Sequence, residues 1–210
     1  MSNQLIIGYD PGGNNAHGIA DLEVRDGIAK RLRTRNLGAV EDIIDHLDSL
    51  HSLTALGIDT LTCWGTGPGG WRPSDRWLRA NYPDVHNSVI SPNGLYGSMG
   101  LNGMSVAIVS RQRFPNVFIT ETHPKVLFWH LTQMRYDYSQ NRRAMDAALA
   151  EWLGIAVDTN TEHEWDAALS AFVAFEGSAG RWSFDLHKLP TKENERLIEP
   201  CGETHYSWPT

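Results

Sequence analysis

Four acidic residues stand where apolar runs stop. Asp10 ends the run Leu5–Tyr9, Asp59 ends Leu53–Ile58, Glu121 ends Val117–Thr120, and Asp166 lies in the first turns of an amphipathic segment opened by Thr161. A strand rooted in a core fixes its terminal side chain, so carboxylates placed there can converge and hold divalent metal. Two such ions about 4 Å apart activate an attacking water and stabilise the leaving oxygen of a phosphodiester. Mg²⁺ takes oxygen ligands and only one or two carboxylates per ion, so this chemistry needs three or four carboxylates drawn from different elements. In this reading Asp10 is shared by two Mg²⁺ or Mn²⁺ ions, and Asp59 and Asp166 each hold one. Glu121 is either a further ligand or orients a water or a basic side chain.

Each acid also has an ordinary reading. Asp10 precedes Pro11-Gly12-Gly13, and Asp opens turns readily. Asp59 and Glu121 could simply terminate strands. Asp166 would complement a helix dipole, but it sits about 100° from Trp165 at the edge of the apolar stripe, where it can reach over a sheet end. Glu164 completes a capping box with Thr161. Around these acids, Arg72 and Asp75 form an Arg-x-x-Asp pair with Arg72 suited to a substrate phosphate, against the alternative of a surface ion pair. His123 and Lys125 flank Pro124 beside Glu121 and could stabilise charge or move a proton at the substrate. His163, three residues before Asp166, could hydrogen-bond a carboxylate or a leaving group.

The elements that must position these residues follow from periodicity. Residues 5–10 read as a buried strand, and 17–24 and 28–36 as a hairpin joined at Asp26-Gly27. Val40, Ile43, Ile44, Leu47 and Leu50 recur at helical spacing over 39–51, and 53–59 is a strand buried on both faces. The stretch 61–103 is rich in Gly, Pro, Trp and Asn and reads as a loop-rich insertion with a short helix near 74–80. Its Trp64, Trp71, Trp77 and Tyr82 are either base-stacking platforms or the core of an irregular segment. Residues 104–113 suit a helix, 117–121 a strand, and 124–133 and 141–153 helices. The last helix runs from Thr161 to about 176, with Trp165, Ala168, Leu169, Phe172 and Val173 facing the core. The tail 181–210 reads as irregular. This order predicts one α/β domain over 1–210 with an RNase H-like mixed five-stranded sheet flanked by helices, its first strand beside the fourth and its last helix crossing both.

The segments Gly8-Tyr9-Asp10-Pro11-Gly12, Gly57-Ile58-Asp59-Thr60, Trp71-Arg72-x-x-Asp75, Glu121-Thr122-His123-Pro124 and His163-Glu164-Trp165-Asp166-Ala167-Ala168-Leu169 resemble the domain-of-unknown-function family 429. The resemblance covers most of residues 5–176 and the aromatic tail before Pro209. It implies a predicted RNase H-like nuclease with an acid after the first strand, an Asp ending the fourth, an Arg-x-x-Asp pair in the insertion, a Glu-x-x-Pro, and an acidic helix start. This chain has Asp59-Thr60-Leu61-Thr62 where the family has Asp-x-Pro-Leu, and Glu164-Trp165-Asp166 at the helix start leaves two acids open as the ligand there.

Composition bounds the partners. The chain has 210 residues, 41% apolar and 20% charged, with a net charge of −7, which suits a globular enzyme and argues against a non-specific coat for nucleic acid. Two cysteines without a Cys-x-x-Cys support neither a disulfide framework nor a cysteine zinc site. No apolar stretch approaches the roughly 18 residues that span a bilayer. The start reads as a strand and not a signal peptide, so a cytoplasmic address is expected. Gly65-x-Gly67-x-x-Gly70 lacks the context of a dinucleotide fingerprint and reads as a flexible loop. The expected activity is a metal-dependent nuclease acting on a nucleic acid of unspecified type, with no membrane partner and with monomer or homodimer both open. Two rivals remain: an actin- or sugar-kinase-like phosphotransferase or ATPase using the Asp10-Pro11-Gly12-Gly13 turn, and a non-catalytic binding module of the same fold.

Overall fold

The computed structural model of the protein describes residues 3–95 and 97–210. Three strands open the chain: β1 (Asn3–Asp10), β2 (His17–Arg25) and β3 (Ile28–Leu37). Asp26 and Gly27 between β2 and β3 both take positive φ, 52° and 75°, as a two-residue type I′ turn requires. Helix α1 (Val40–Ser49) leads to β4 (Ala55–Ile58), the short β5 (Trp64–Gly65), α2 (Pro73–Asn81) and α3 (Gly97–Arg113). Then come β6 (Phe118–Glu121), α4 (Pro124–Thr132), α5 (Tyr138–Leu153) and α6 (Glu162–Ser178). The tail adds β7 (Phe184–Asp185), β8 (Leu197–Ile198) and β9 (Ser207–Trp208).

The main sheet has the order β3-β2-β1-β4-β6. Strands β1, β2 and β3 are antiparallel, while β4 and β6 run parallel to β1. This is the RNase H-like arrangement expected from the order of elements. Alternation along the strands divides the core. Ile6, Leu22 and Ala55 join the cluster under α6, whereas Ile7, Tyr9, Leu56, Ile58 and Ile119 pack against Ile43 and Leu47 of α1 and Val106 and Ala107 of α3.

Helix α6 lies almost directly on the strands because two glycines leave room for its backbone. A Cβ at Gly8 would sit 1.8 Å from the Ala167 carbonyl oxygen, and one at Gly57 would sit 2.0 Å from that of Ser170. The single apolar stripe expected on α6 is corrected: every residue from Glu164 to Phe175 is buried. The sheet takes one side, and α4, α5 and β9 cover the rest.

Other expectations also shift. Helix α3 starts at Gly97, so the irregular stretch is shorter than 61–103. Strand β4 begins at Ala55 and not at 53. The tail, read as irregular, is integral: β8 pairs with β5, β7 pairs with β9, and His205 bridges in parallel to Thr120 along the outer edge of β6. That placement covers an edge that would otherwise expose unpaired backbone groups. Trp77 and Tyr82 pack edge-on or tilted against Trp208, so this part of the insertion forms core with the tail and is not a stacking platform. Among the described residues no helix is long and apolar enough to cross a membrane.

Candidate carboxylate site at the end of the sheet

The register of the parallel strands decides which acids meet. Tyr9 pairs with Ile58, and the Asp59 N–H donates to the Tyr9 carbonyl at 2.9 Å, so Asp10 and Asp59 follow side by side at the C-terminal ends of β1 and β4. Both continue the alternation of Gly8 and Gly57, whose missing Cβ atoms face α6. Helix α6 brings Asp166 to the same face one residue before Ala167, which stands over Gly8. The three aspartates therefore share one end and one face of the sheet.

Their surroundings are those of a carboxylate cluster short of positive charge. Burial, and next the charge of Asp10, pushes Asp59 well above the usual carboxylate range. Burial, then Asp10 and Asp59 together, does the same to Asp166. Asp10 is raised by burial, an effect that His163 partly offsets. The His163 Nδ1 lies 2.6 Å from Asp10 Oδ2, and the bond raises the imidazole above its ordinary value despite partial burial. Asp166 Oδ1 accepts a hydrogen bond of 2.7 Å from the Tyr136 hydroxyl. Burial holds Tyr136 far above the ordinary tyrosine range, so it stays a donor. Lys125 stands at the rim, its Nζ 3.4 Å from Glu162 Oε1 and over the Tyr136 ring. Burial opposes its charge, but Asp166 and Glu162 outweigh this and keep it protonated.

The two acids at the helix start are separated by this geometry. Glu164 Oε2 accepts from Thr34 Oγ1 at 2.9 Å and from the Asn160 N–H at 3.0 Å, so it staples α6 to β3 away from the cluster. Asp166 is the acid that faces Asp10 and Asp59.

Glu121 pairs with Ile58, one residue out of phase with Asp59, and so points to the opposite face of the sheet. There its Oε1 and Oε2 accept from Arg72 at 2.5 and 2.6 Å, and Oε2 also accepts from the Thr62 N–H at 2.9 Å. Arg72 in turn grips Asp75 at 3.0 and 2.7 Å. The expectation that Arg72 and Asp75 meet substrate is corrected: Arg72 is 1% and Asp75 3% exposed, and the guanidinium is consumed by two internal carboxylates. Glu121 takes the role of orienting a basic side chain. Burial would raise its carboxyl, but the Arg72 charge prevails and holds it down at about 2.

His187, unnoticed in the sequence because it lies in the irregular tail, joins this network. Its Nε2 is 3.4 Å from Glu121 Oε2 and 3.5 Å from Cys63 Sγ, while Nδ1 is 3.2 Å from the Thr204 carbonyl oxygen. Burial would lower it, but hydrogen bonds to Cys63 and Glu121 raise it to about 10. Ligand atoms of Cys63, Glu121 and His187 come within 4.8 Å of one another. The cation among them is Arg72 itself, whose Nη1 is 2.6 Å from Glu121 Oε2 and 3.6 Å from Cys63 Sγ, so an ion would have to expel a paired guanidinium.

His123 is held away from the aspartates, with Nε2 3.1 Å from the Ser88 carbonyl oxygen; burial lowers it to about 4, and it is neutral there. Lys125 and His163, by contrast, stand at the cluster.

No family model matches the chain, and no curated protein matches it. Among solved structures it is similar to Thermus thermophilus RuvC, with 12% identity and a TM-score of 0.47 over 84% of this chain and 97% of that one. It is similar, at the same identity and TM-score, to T. thermophilus RuvC in complex with Holliday junction substrate, over 86% of this chain and 96% of that one.

Proposed function

We propose that the chain is a divalent-metal-dependent phosphodiester hydrolase, a nuclease, whose ions are held by Asp10, Asp59 and Asp166. The observation that supports this is the juxtaposition of Asp10 and Asp59 at adjacent parallel strand ends with Asp166 carried over them by α6. The donor set is all oxygen, which suits Mg²⁺ or Mn²⁺ and disfavours softer metals. It also fits an electrostatic demand: Asp59 and Asp166 are each raised by burial and then by neighbouring carboxylates, a penalty that bound cations would offset. Two ions would divide the three carboxylates between them, so one cation would not have to reach all three. When bound, such ions activate water and stabilise a leaving oxygen. The chain's own part is positional. Tyr136 fixes the Asp166 carboxylate, and His163 steadies Asp10 and can hold or release a proton at its edge of the site. Lys125 supplies the nearby positive charge.

The test is Mn²⁺ titration by calorimetry alongside cleavage of labelled DNA and RNA. Wild-type protein should bind Mn²⁺ and cut at least one substrate, and Asp10→Asn should do neither while remaining folded. Full activity in Asp10→Asn would refute the assignment.

A further inference from the structure

Beside the aspartates lies a groove of about 630 Å³, within the roughly 300–1,000 Å³ typical of ligand clefts. It is lined by Asp84, Lys125, Trp129, Arg135, Tyr136 and Glu162, among others. Tyr136 and Lys125 join it to the carboxylate site, since Tyr136 donates to Asp166 and the Lys125 charge reaches both Asp166 and Asp59. Two lining side chains have no internal task. Trp129 is only part-buried, belongs to neither hydrophobic cluster, and has no ring contact or indole hydrogen bond among the described residues. Arg135 is exposed, and its guanidinium has neither a hydrogen bond nor an ion pair among the described residues. By contrast Glu162 is paired with Lys125, and Asp137 caps α5 through the Gln140 N–H. An unengaged indole face and an unengaged guanidinium lining one groove are what a base and its phosphate need; Trp129 lies in the last turn of α4, and Arg135 lies on the α4–α5 connection.

We propose that this groove seats an unpaired nucleotide of a nucleic-acid strand, flanking the phosphodiester held at the aspartates, with Trp129 stacking on the base and Arg135 meeting its phosphate. This rests on the nuclease reading of the neighbouring site. It names the substrate as a strand with an unpaired stretch, because a base inside a continuous duplex has no free face to stack on an indole.

The test is fluorescence anisotropy of a labelled single-stranded dodecamer with the full chain, in EDTA and again in Ca²⁺, against the same sequence as a duplex. Trp129→Ala should weaken single-strand binding by roughly 5- to 150-fold, and Trp129→Phe should retain most of it, since a ring survives. Arg135→Ala should lower the slope of log K against log salt by about 0.7, one phosphate on a single strand. The duplex should bind more weakly than the single strand. Unchanged single-strand affinity in both Trp129→Ala and Arg135→Ala, or no binding by wild type, overturns the groove. Because the EDTA arm needs no metal, Trp129-dependent binding without Mn²⁺ uptake would keep the groove and sink the nuclease reading. Mn²⁺-dependent cleavage with Trp129-independent binding would do the reverse.

Discussion

Arg72 grips both carboxylate oxygens of Glu121, at 2.6 and 2.5 Å, with the two residues 1% and 3% exposed. The pair joins the insertion to β6 on the face of the sheet opposite the aspartates. Removing one partner strands a buried charge, which costs about 3–5 kcal/mol. Arg72→Ala should therefore lower the denaturant midpoint severely. Arg72→Lys should recover little, because an ammonium cannot make two forks at once. Glu121→Gln should also destabilise the fold yet leave Mn²⁺ affinity near wild type; a loss of metal binding without a loss of stability would return Glu121 to the ligand set.

The same network sets a pH dependence with two signs. Glu121 is held at about 2, below its unfolded value, so its stabilisation is present above about pH 4 and is lost on acidification toward 2. His187 is raised to about 10, so its contribution is complete below about pH 6.5 and fades as pH rises through 10. Urea unfolding of His187→Gln should show less alkaline loss than wild type over that upper window.

The aspartate cluster carries the sign opposite to that of Glu121. Asp59 and Asp166 are raised in the folded state, so without metal the native protein binds more protons than the unfolded chain above about pH 4. Metal-free stability should fall as pH rises there, by up to about 1.4 kcal/mol per pH unit for each extra proton held. Asp166→Asn should flatten that slope, and saturating Mg²⁺ should flatten it in wild type. A slope that neither change alters would contradict the cluster's role.

Tyr136 tests the positioning of Asp166. Tyr136→Phe removes the 2.7 Å hydrogen bond and little else, and loss of such an orienting partner typically weakens a metal site 10–100-fold. Mn²⁺ titration of the variant should show a loss of that order with thermal stability close to wild type.

Gly57 tests the platform beneath α6. Gly57→Ala would place a methyl 2.0 Å from the backbone carbonyl oxygen of Ser170, which cannot move alone, so the helix must shift. Overpacking of this kind costs about 1–3 kcal/mol or more. Metal affinity should fall beyond what the stability loss explains, since Asp166 rides on that helix. Wild-type Mn²⁺ affinity in a folded Gly57→Ala protein would show that Asp166 tolerates displacement.

Much of this architecture was legible in the chain because local rules agree with the global fold. Asp26-Gly27 needs two positive φ values and so makes a hairpin, and Thr161 caps α6 by accepting from the Glu164 N–H. The continuously apolar runs before Asp10 and Asp59 belong to strands covered on both faces. The burial of Arg72 is not legible in the chain, because Arg-x-x-Asp spacing looks the same on a wet surface and in a core. What buried it was the tail, whose Tyr206 and His187 close over the network from the far end of the sequence.

Apolar periodicity and turn chemistry are short-range properties, so the strand-ending acids Asp10, Asp59 and Glu121 can be read from local sequence. Which of them share a face depends on how distant strands pair. A strand alternates sides with every residue, so the register that pairs Tyr9 with Ile58 and Ile58 with Glu121 sends Asp10 and Asp59 toward Asp166 and turns Glu121 to Arg72. That register is a relation between distant segments, and it is fixed by packing α6 onto Gly8 and Gly57.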